Sequence, residues 1–380
     1  IIAVEYQIKR FIQSMITLTL IALFLLFVFV VWSTQQPILG RKPSGSRLQR
    51  IQNSPNYRQG QFRNLFEKSG VAESSYLLIE ICKTFFRHIP NRDPIDPIPS
   101  IKTDLKTLNP QHDVIIWFGH SSVFMQLHGK KFLIDPVMSG KATPLAWGTR
   151  AYKGTDIYTV EELPEIDYLL ISHDHYDHLD YQTALKLKDK VKYVVTGLGV
   201  GEHFEYWGYP KEKLIEKDWG EKIELGDGIT IITETTHHDS RRAFDGGKNL
   251  WVSFVIQSPN KRIFYTGDGG YNQHFVEIGK KYGPFDWALM ENGQYDMAWH
   301  AVHCHPEEVA QATVELNARN MIPVHHSKFS LAKHAWYEPI TRIVEYSKSR
   351  PYRLATPMIG ELVELDNNHQ VFQQWWKGVR

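Results

Sequence analysis

The chain has 380 residues, of which 42% are hydrophobic and 13% aromatic, enough for one large core or two smaller ones. This composition excludes wholesale disorder, a collagen-like repeat and a mini-protein. A formal net charge of +1 at pH 7 argues against a general nucleic-acid binder, which normally carries a basic excess. The two cysteines, Cys82 and Cys304, are too few for a disulfide framework or a cysteine zinc site, whereas the 18 histidines are a notable excess.

Residues 11–32 carry no charge and form an apolar run long enough to cross a bilayer as a helix. We interpret residues 1–32 as an N-terminal membrane anchor. A cleaved signal peptide is the alternative, but no Ala-x-Ala-like cleavage site follows the run. Positive charges are more numerous after the run than before it, which favours the cytoplasmic side for the following domain. These charges are Lys9 and Arg10 before the run and Arg41, Lys42, Arg47 and Arg50 after it.

Residues 33–89 differ in composition from both their neighbours. As far as residue 68 they are polar and basic, which is typical of a juxtamembrane linker, either a soluble tether or a basic strip on anionic headgroups. Residues 74–88 have apolar side chains at helical spacing and predict a lead-in helix.

Residues 90–380 form the main predicted domain. Ten short β-rich runs follow residue 113, and helices are predicted over 181–190, 271–282, 305–318 and 334–348. This order favours an α/β architecture of two sheets packed face to face with helices outside. The halves 113–235 and 236–365 are candidates for two similar lobes.

The strongest chemical signal is the sequence H-x-H-x-D-H, formed by His173, His175, Asp177 and His178 directly after an apolar strand. Imidazole nitrogens and carboxylate oxygens hold divalent metals at neutral pH. Alternate residues of an extended chain share one side, so His173 and His175 can bind one metal together. Asp177 and His178, where the chain turns towards a helix, can face a second ion. A merely histidine-rich surface loop is the alternative, and it rarely lies at the end of a buried strand.

Later strand ends supply further ligands for these ions. Each of three apolar runs is followed by a candidate side chain, and any one of them taken alone would more often be a turn residue or a satisfied histidine. Together with the motif they complete two ion shells. The candidates are His237 or His238, Asp268, and His325 or His326.

Over residues 90–365 the sequence resembles the metallo-β-lactamase fold superfamily, in the branch of N-acyl phosphatidylethanolamine-hydrolysing phospholipase D and the ascorbate-6-phosphate lactonases. Besides the H-x-H-x-D-H motif, this resemblance depends on five strings: WFGHSSVFMQLHGKKFLIDPVMS (117–139), TTHHDSRR (235–242), YTGDGGY (265–271), HCHPEE (303–308) and PVHHSKFSLA (323–332). The resemblance implies an αββα sandwich with a dinuclear site at one edge of the two sheets.

The resemblance also implies a role for each ligand position. His238 is preferred to His237 because it brings Ser240 and Arg242 into the family register, although Thr235 and Thr236 replace the usual Pro-Ala and leave the choice open. The implied first-metal ligands are His173, His175 and His238; the implied second-metal ligands are Asp177, His178 and His325, with Asp268 bridging the two ions.

Other residues acquire supporting roles from the same resemblance. Asp135 is expected to support the ligand loop, and His303 to lie at the pocket, where it could protonate a leaving oxygen. His326 is expected in a supporting or substrate-facing position, and His120 either in the pocket wall or as a buried structural histidine. We interpret Cys304 as packing or support, because no covalent-catalysis constellation surrounds it.

The expected function is hydrolysis by a water shared between two divalent ions, zinc first with manganese or iron as alternatives. Asp177, Asp268 and His303 are the expected catalytic residues. The leading interpretation is a membrane-anchored phosphodiesterase of phospholipase D type acting on N-acyl phosphatidylethanolamine-like lipids, with aromatic residues between the ligand segments contacting lipid. A small-ester or lactone hydrolase is the main alternative, followed by a nuclease and a non-enzymatic membrane scaffold. The aromatic residues are Trp147, Tyr152, Trp207, Tyr209, Trp219 and Trp299.

Overall fold

The computed structural model describes residues 2–66, 89–145, 148–243 and 245–380. The predicted lead-in helix over 74–88, together with Cys82 and Trp147, lies outside the described residues.

The first element is the long helix α1, Ile2–Thr34. Its part Val4–Thr34 has a mean hydropathy of 2.8 in its most apolar window, and none of that window is buried against the rest of the chain. The hydroxyls of Thr17 and Thr19 donate to carbonyls one turn earlier, at 2.9 Å each, so these polar groups need no water. The helix is therefore long and apolar enough to cross a membrane.

Residues 37–66, expected to be a linker, are folded against the domain. They form a 3-10 turn at Pro37–Leu39, helix α2 at Gly45–Gln52, and a hairpin of β1 (Tyr57–Arg58) and β2 (Gln61–Phe62). Arg47 lies 2.7 Å from Glu216 and 2.9 Å from Glu205, so part of the basic composition is used in ion pairs with the domain. Ile51 and Phe62 belong to the main hydrophobic core.

The first sheet has seven strands in the order β18-β3-β4-β5-β6-β7-β8. Its strands β5 to β8 run parallel, and the other neighbours are antiparallel. The strands are β3 (Val114–Trp117), β4 (Val123–Leu127), β5 (Lys130–Ile134), β6 (Ile166–Ile171), β7 (Val191–Gly197), β8 (Leu214–Lys217) and β18 (Leu362–Glu364).

The second sheet also has seven strands, in the order β17-β16-β15-β14-β13-β10-β9, with β14 to β17 parallel. A separate hairpin, β11 (Arg241–Arg242) with β12 (Asp245–Gly246), follows β10. The strands of the sheet are β9 (Lys222–Gly226), β10 (Ile229–Glu234), β13 (Ser253–Gln257), β14 (Arg262–Tyr265), β15 (Phe285–Glu291), β16 (Ala318–Val324) and β17 (Arg353–Leu354).

The core is layered because alternate residues of a strand face opposite sides. In β3, Ile115 and Trp117 join the core shared with the second sheet, whereas Ile116 packs with Leu187 and Phe204 of the covering helices. These layers confirm the predicted αββα sandwich. The covering helices are α3 (Tyr181–Leu187), α4 (Gly201–Tyr206), α5 (His274–Tyr282), α6 (Pro306–Glu315) and α7 (Glu338–Ser347).

The two sheets do not follow the predicted halves of the sequence. Strands β9 and β10, from the first half, pair in the second sheet, and β18, near the C-terminus, completes the first. The reason is that β10 forms its ladder with β13, which follows the hairpin β11-β12 in the chain. The lobe boundary at residue 235 is therefore wrong, although the sandwich itself is as predicted.

Candidate metal centre

The candidate centre lies where strands from both sheets end. Parallel strands deliver their carboxyl ends to a common edge of a sheet, and ligands typically bind there. Asp135 follows β5, His173 follows β6, Asp268 follows β14, and His325 follows β16. The sequence therefore places one candidate side chain at the end of each of these strands.

The loop after β6 is compact, because the amides of His178 and Leu179 both donate to the carbonyl of His175, at 3.1 and 2.8 Å. Asp180 then caps helix α3 by accepting from the amide of Gln182. This turn brings the four polar side chains of H-x-H-x-D-H to one side of the sheet edge.

A first group contains His173, His175 and His238, one nitrogen of each lying within 4.8 Å of the others. The His238 Nε2 and His175 Nδ1 atoms are 3.3 Å apart. The neighbouring His237 instead places its Nδ1 atom 3.2 Å from the Asn272 amide. The structure therefore brings His238 to the group, which is the register that we preferred from the sequence.

A second group contains Asp177, His178 and His325, joined by His120, again with ligand atoms within 4.8 Å. The Asp268 Oδ2 atom lies 3.1 Å from the Nε2 atoms of both His178 and His325. The same oxygen lies 3.9 Å from the Nε2 atoms of His173 and His238 in the first group. Asp268 thus stands between the two groups, the position that a bridging ligand requires.

The chemistry of these atoms fits divalent metal ions. The Nε2 atoms of His173, His178 and His325, and the Oδ1 atom of Asp268, are buried without a hydrogen-bond partner among the described residues. Buried polar atoms are normally hydrogen-bonded, so several orphans converging on one point indicate a missing partner. A metal ion accepts electron pairs from imidazole and carboxylate together, and it satisfies all of these atoms at once.

The second nitrogen of each ligand histidine has a neighbour that can hold its proton. Such contacts fix the ring orientation and leave the other nitrogen free for a metal. The pairs are His173 Nδ1 with Ser172 Oγ (3.0 Å), His175 Nε2 with Asp239 (3.4 Å), His178 Nδ1 with Asp135 (2.8 Å), His238 Nδ1 with the Val302 carbonyl (3.0 Å), and His325 Nδ1 with the Gly293 carbonyl (3.2 Å).

Electrostatics separates the two groups. Burial acts to raise the pKa of Asp268, but the nearby His178 and His325 outweigh it and hold that pKa well below its usual range. Burial acts to lower the pKa of His178, yet the charges of Asp268 and Asp177 raise it to about 10. In the first group burial lowers the pKa of His173 and lowers that of His238 to about 4, whereas Asp239 outweighs burial and raises the pKa of His175. The second group therefore carries the ionised carboxylates.

Asp135 supports this centre from behind. Its carboxylate accepts from the backbone amide of Ser172 (2.8 Å), the Ser172 hydroxyl and the Tyr265 hydroxyl (2.7 Å), as well as contacting His178. With these donors filling its lone pairs, the carboxylate holds the ligand loop instead of facing the ions. Tyr265, which the sequence analysis missed, closes β14 and is fully buried.

Three non-glycine residues at the centre have left-handed backbone angles, with φ of 52° at His120, 41° at Asp135 and 68° at His325. Such conformations are costly and cluster at functional sites. The backbones of the two sheets are also joined here, because the His325 amide donates to the His120 carbonyl at 2.8 Å and the His120 amide donates to the His326 carbonyl at 3.0 Å. This link brings the His120 Nε2 atom within 2.9 Å of Asp177.

Glu291 is the most important residue that the sequence analysis missed. It ends β15, and its carboxylate contacts the Nδ1 atom of His303, lies 3.4 Å from the Nδ1 atom of His325, and accepts from the Gly269 amide at 2.8 Å. His303 stacks on His325 with ring centroids 5.5 Å apart. An acidic residue at the end of a parallel strand was the available signal, because the ligands His173 and His325 follow the same pattern.

Asn64 was missed because it lies far away in sequence, in the segment expected to be a linker. Its side-chain amide donates to the His238 carbonyl at 2.8 Å, and its oxygen accepts from the His238 amide at 3.1 Å. The N-terminal segment therefore holds the backbone of one candidate ligand.

The remaining predicted site residues lie behind the ligand groups. His326 packs on Trp117, and its Nε2 atom is 3.2 Å from the Pro323 carbonyl, so its side chain does not face substrate. Ser240 is buried, and Arg242 bonds backbone carbonyls instead of facing the mouth. The thiol of Cys304 contacts the Gly269 carbonyl at 3.1 Å.

Three side chains at the centre are partly exposed to solvent. The side chains of His175, His303 and Asp177 are 23%, 15% and 13% exposed, whereas those of the other predicted ligands are at most 2% exposed. A substrate therefore meets these three residues first.

The described aromatic residues that we expected to contact lipid have structural partners. Each uses its polar atom on protein, so the expectation of a shared lipid surface is not supported by their positions. Tyr152 bonds Ser330, Trp207 the Pro37 carbonyl, Tyr209 the Ala184 carbonyl, Trp219 the Trp251 carbonyl and Trp299 the Gln294 carbonyl.

Comparison with known proteins agrees with this geometry. A family model described as a beta-lactamase superfamily domain matches residues 130–326. An uncharacterized protein of Mycobacterium tuberculosis is 32% identical over 333 residues, covering 86% of this chain and 88% of that protein. The N-acyl-phosphatidylethanolamine-hydrolyzing phospholipase D 1 of Caenorhabditis elegans is 30% identical over 280 residues, covering 67% of this chain and 78% of that protein.

Among solved structures, a metallo hydrolase of the archaeon Ignicoccus hospitalis aligns with a TM-score of 0.51 at 19% identity, a likeness of fold alone. The alignment covers 67% of this chain and 98% of that one. The fold, the convergent histidines and aspartates and the family model agree, and the chain belongs to the metallo-β-lactamase superfamily, as a metal-dependent hydrolase.

Proposed function

We propose that the protein is a membrane-anchored dinuclear hydrolase that cleaves a phosphodiester of an N-acyl phosphatidylethanolamine-like lipid in the manner of a phospholipase D. The observation that carries this proposal is the pair of ligand groups sharing Asp268 at a mouth that His303 borders. Similarity to the C. elegans phospholipase D supports the substrate class.

In this proposal His173, His175 and His238 hold one ion, Asp177, His178 and His325 hold the other, and Asp268 bridges them. The most suitable ions are zinc, with manganese or iron as alternatives, because a His/Asp donor set accepts all three. When bound, such ions lower the pKa of a shared water and stabilise negative charge on the oxygens of the reacting group.

The chain's own residues provide orientation and a proton. Glu291 holds the Nδ1 proton of His303, so the ring presents its Nε2 atom to a substrate in the mouth. From this atom His303 can protonate the leaving alkoxide oxygen. His120 donates to Asp177 at 2.9 Å and fixes the orientation of that carboxylate towards the second ion.

Membrane attachment is the second part of the proposal. Helix α1 would span the bilayer, and the excess of Lys and Arg after it favours the cytoplasmic side for the catalytic domain. Leu65 and Met297 are 48% and 74% exposed; Leu65 adjoins Asn64, and Met297 lies six residues before His303. Exposed apolar side chains such as these fit a protein that works at a lipid surface.

A small-ester or lactone hydrolase is the alternative. Arg241 is paired with Asp239, which contacts the ligand His175, so this cation is not reserved for a phosphate group. A metal-dependent hydrolase of Caldivirga maquilingensis, 30% identical over 218 residues, supports metal-dependent hydrolysis without favouring either substrate.

A side-by-side assay of three substrates tests the proposal. Purified full chain, loaded with zinc in detergent micelles, is given bis(p-nitrophenyl) phosphate, an N-acylated phosphatidylethanolamine and a simple lactone. We expect metal-dependent hydrolysis of both phosphodiesters, faster than that of the lactone, and loss of turnover with chelator. Hydrolysis of the lactone without any phosphodiester turnover would overturn the lipid assignment and leave the metal centre intact.

A variant identifies the role of His303. We expect His303→Ala to lower kcat more than it raises KM, because the proton is needed in the transition state and not for binding. The matched control is His300→Ala, a change of a neighbouring, partly exposed histidine that contacts Glu308 instead of Glu291. Equal effects of the two changes would contradict the catalytic role.

A further inference from the structure

Arg242 is a buried cation that the proposed reaction does not use. Only 2% of the residue is exposed, and burial lowers the pKa of its guanidinium. In the described part of the chain, no carboxylate oxygen lies within ion-pair distance of it. Instead the guanidinium carbon lies 4.4 Å from the ring centre of Tyr176 and 5.2 Å from that of Trp207. An isolated buried charge is expensive, so a specific need must retain it.

The guanidinium joins two distant parts of the backbone. Its Nη1 atom donates to the carbonyls of Asp174 (2.9 Å) and Leu179 (2.8 Å), which flank the candidate ligands His175, Asp177 and His178. Its Nη2 and Nε atoms donate to the carbonyl of Ile38, at 2.8 and 3.2 Å. One side chain therefore clamps both ends of the ligand loop to the stretch that follows helix α1.

The stretch from Pro37 to Arg41 is held at two further points. The Trp207 indole donates to the Pro37 carbonyl at 2.9 Å, and the Arg41 amide donates to the His203 Nδ1 atom at 3.0 Å. Between them Gly40 has φ of 73°, and a Cβ atom there would lie 2.1 Å from the same His203 nitrogen. The stretch therefore fits this surface only with glycine at position 40.

We propose that the stretch 37–41 is a positioning element of the metal centre, so that the segment next to the membrane sets how tightly the ligand loop holds its ions. Docking of the stretch keeps Arg242 in place, and Arg242 fixes the two carbonyls that bracket the loop. Undocking removes the acceptor of two of its four hydrogen bonds and frees the guanidinium to move. The inference rests on the proposed metal centre but not on any substrate.

Two glycines of the same segment give a matched test. Gly40 and Gly45 both have positive φ, at 73° and 54°, but a Cβ at Gly45 meets nothing within 4 Å. Both alanine variants therefore carry backbone strain, and only Gly40→Ala collides with His203. Zinc-loaded full chain in detergent is titrated with a chromophoric chelator, and the cobalt-loaded chain provides a visible absorption spectrum that reports ligand geometry.

We expect Gly40→Ala to weaken zinc binding about tenfold, as loss of outer support around a metal typically does, and to shift the cobalt bands. Gly45→Ala should match the unchanged chain in both measurements. Trp207→Phe keeps an aromatic ring at this position but removes the indole N–H that donates to the Pro37 carbonyl. It should shift zinc affinity in the same direction by a smaller factor. The proposal would be overturned if Gly40→Ala and Gly45→Ala had the same zinc affinity and the same cobalt spectrum, whether both matched the unchanged chain or both were weakened equally.

The same titration separates this inference from the proposed function. An unchanged chain that binds no zinc contradicts the metal centre itself. An unchanged chain that binds two zinc ions, with the Gly40 and Gly45 variants indistinguishable, contradicts only the role of the stretch.

Discussion

The two ligand groups differ in charge, burial and origin. The first, His173, His175 and His238, has neutral ligands, one of them 23% exposed, and draws support from loops and from Asn64. The second has the carboxylate of Asp177, which is 13% exposed, lies closer to the shared Asp268, at 3.1 Å from the Nε2 atoms of His178 and His325, and is supported by strand ends. Carboxylates add charge attraction to coordination, so the second position should hold its ion more firmly. The second group is therefore expected to anchor its ion more firmly, while each group has one partly exposed ligand, His175 in the first and Asp177 in the second.

The largest effect is expected at the residue that the two groups share. Asp268→Asn removes the charge that lies between them, and we expect activity to fall about a thousandfold or more and the metal content to drop from two ions to one or none. Elemental analysis and turnover measure both. Asp227→Asn is the control, because Asp227 is 65% exposed and asparagine tolerates its positive φ. Retained activity in Asp268→Asn would contradict the bridging assignment.

A pair of adjacent histidines tests the first group alone. His238→Ala should remove one ion, leave the second group loaded, and lower turnover about a hundredfold, in the range seen when a metal position is lost. His237→Ala is the matched control, since His237 lies beside Asn272 and not in the group. If His237→Ala loses the ion and His238→Ala keeps it, the register that the geometry favours is reversed.

The metal affinities of the two positions should depend differently on pH. Without metal, the pKa of His178 is raised to about 10 by Asp268 and Asp177 against the opposing effect of burial, and that of His325 is also raised well above its usual range. A metal must therefore displace protons from both, so its affinity rises as the pH approaches these raised pKa values. The expected change is about tenfold per pH unit for each proton displaced.

In the first group the pKa of His238 is lowered by burial, and only that of His175 is raised, through Asp239. We expect acidification to weaken the second group more steeply than the first. Calorimetry of zinc binding in buffers of different ionisation enthalpy counts the protons released. If zinc binding releases the same number of protons from His238→Ala as from the unchanged chain, the first group releases no proton when it binds its ion.

The sequence was sufficient for the fold class, and it predicted a ligand set whose side chains the structure brings together, because both leave local patterns. Short apolar, β-rich runs mark β3 to β7, and H-x-H-x-D-H places four donors within six residues. The supporting residues left weaker traces. Glu291 follows the strand-end pattern, but no metal-binding or family motif surrounds it in the sequence. Asn64 has no local signal, because its role arises only when residues 37–66 fold back onto the domain.

The same folding back bears on a chain truncated at residue 70. A chain starting at residue 70 would be expected from composition to keep its metals, since 33–68 is polar and basic. The structure places Asn64 on the backbone of His238, Ile51 in the core and Ile38 on Arg242. Local composition cannot reveal such contacts, because they depend on the path of the whole chain.

The smallest expected effect is that of replacing Asn64, a change that should alter the zinc affinity of one ligand group and leave that of the other unchanged. Asn64→Ala removes both hydrogen bonds to the His238 backbone, which should weaken zinc binding at the first group by about three- to tenfold. The second group, which Asn64 does not contact, should keep its affinity. Asn53→Ala is the control within the same segment, because Asn53 is exposed at the end of α2. Titration with a chromophoric chelator resolves two affinities in one experiment, and equal weakening of both by Asn64→Ala would show that the groups respond as a single unit.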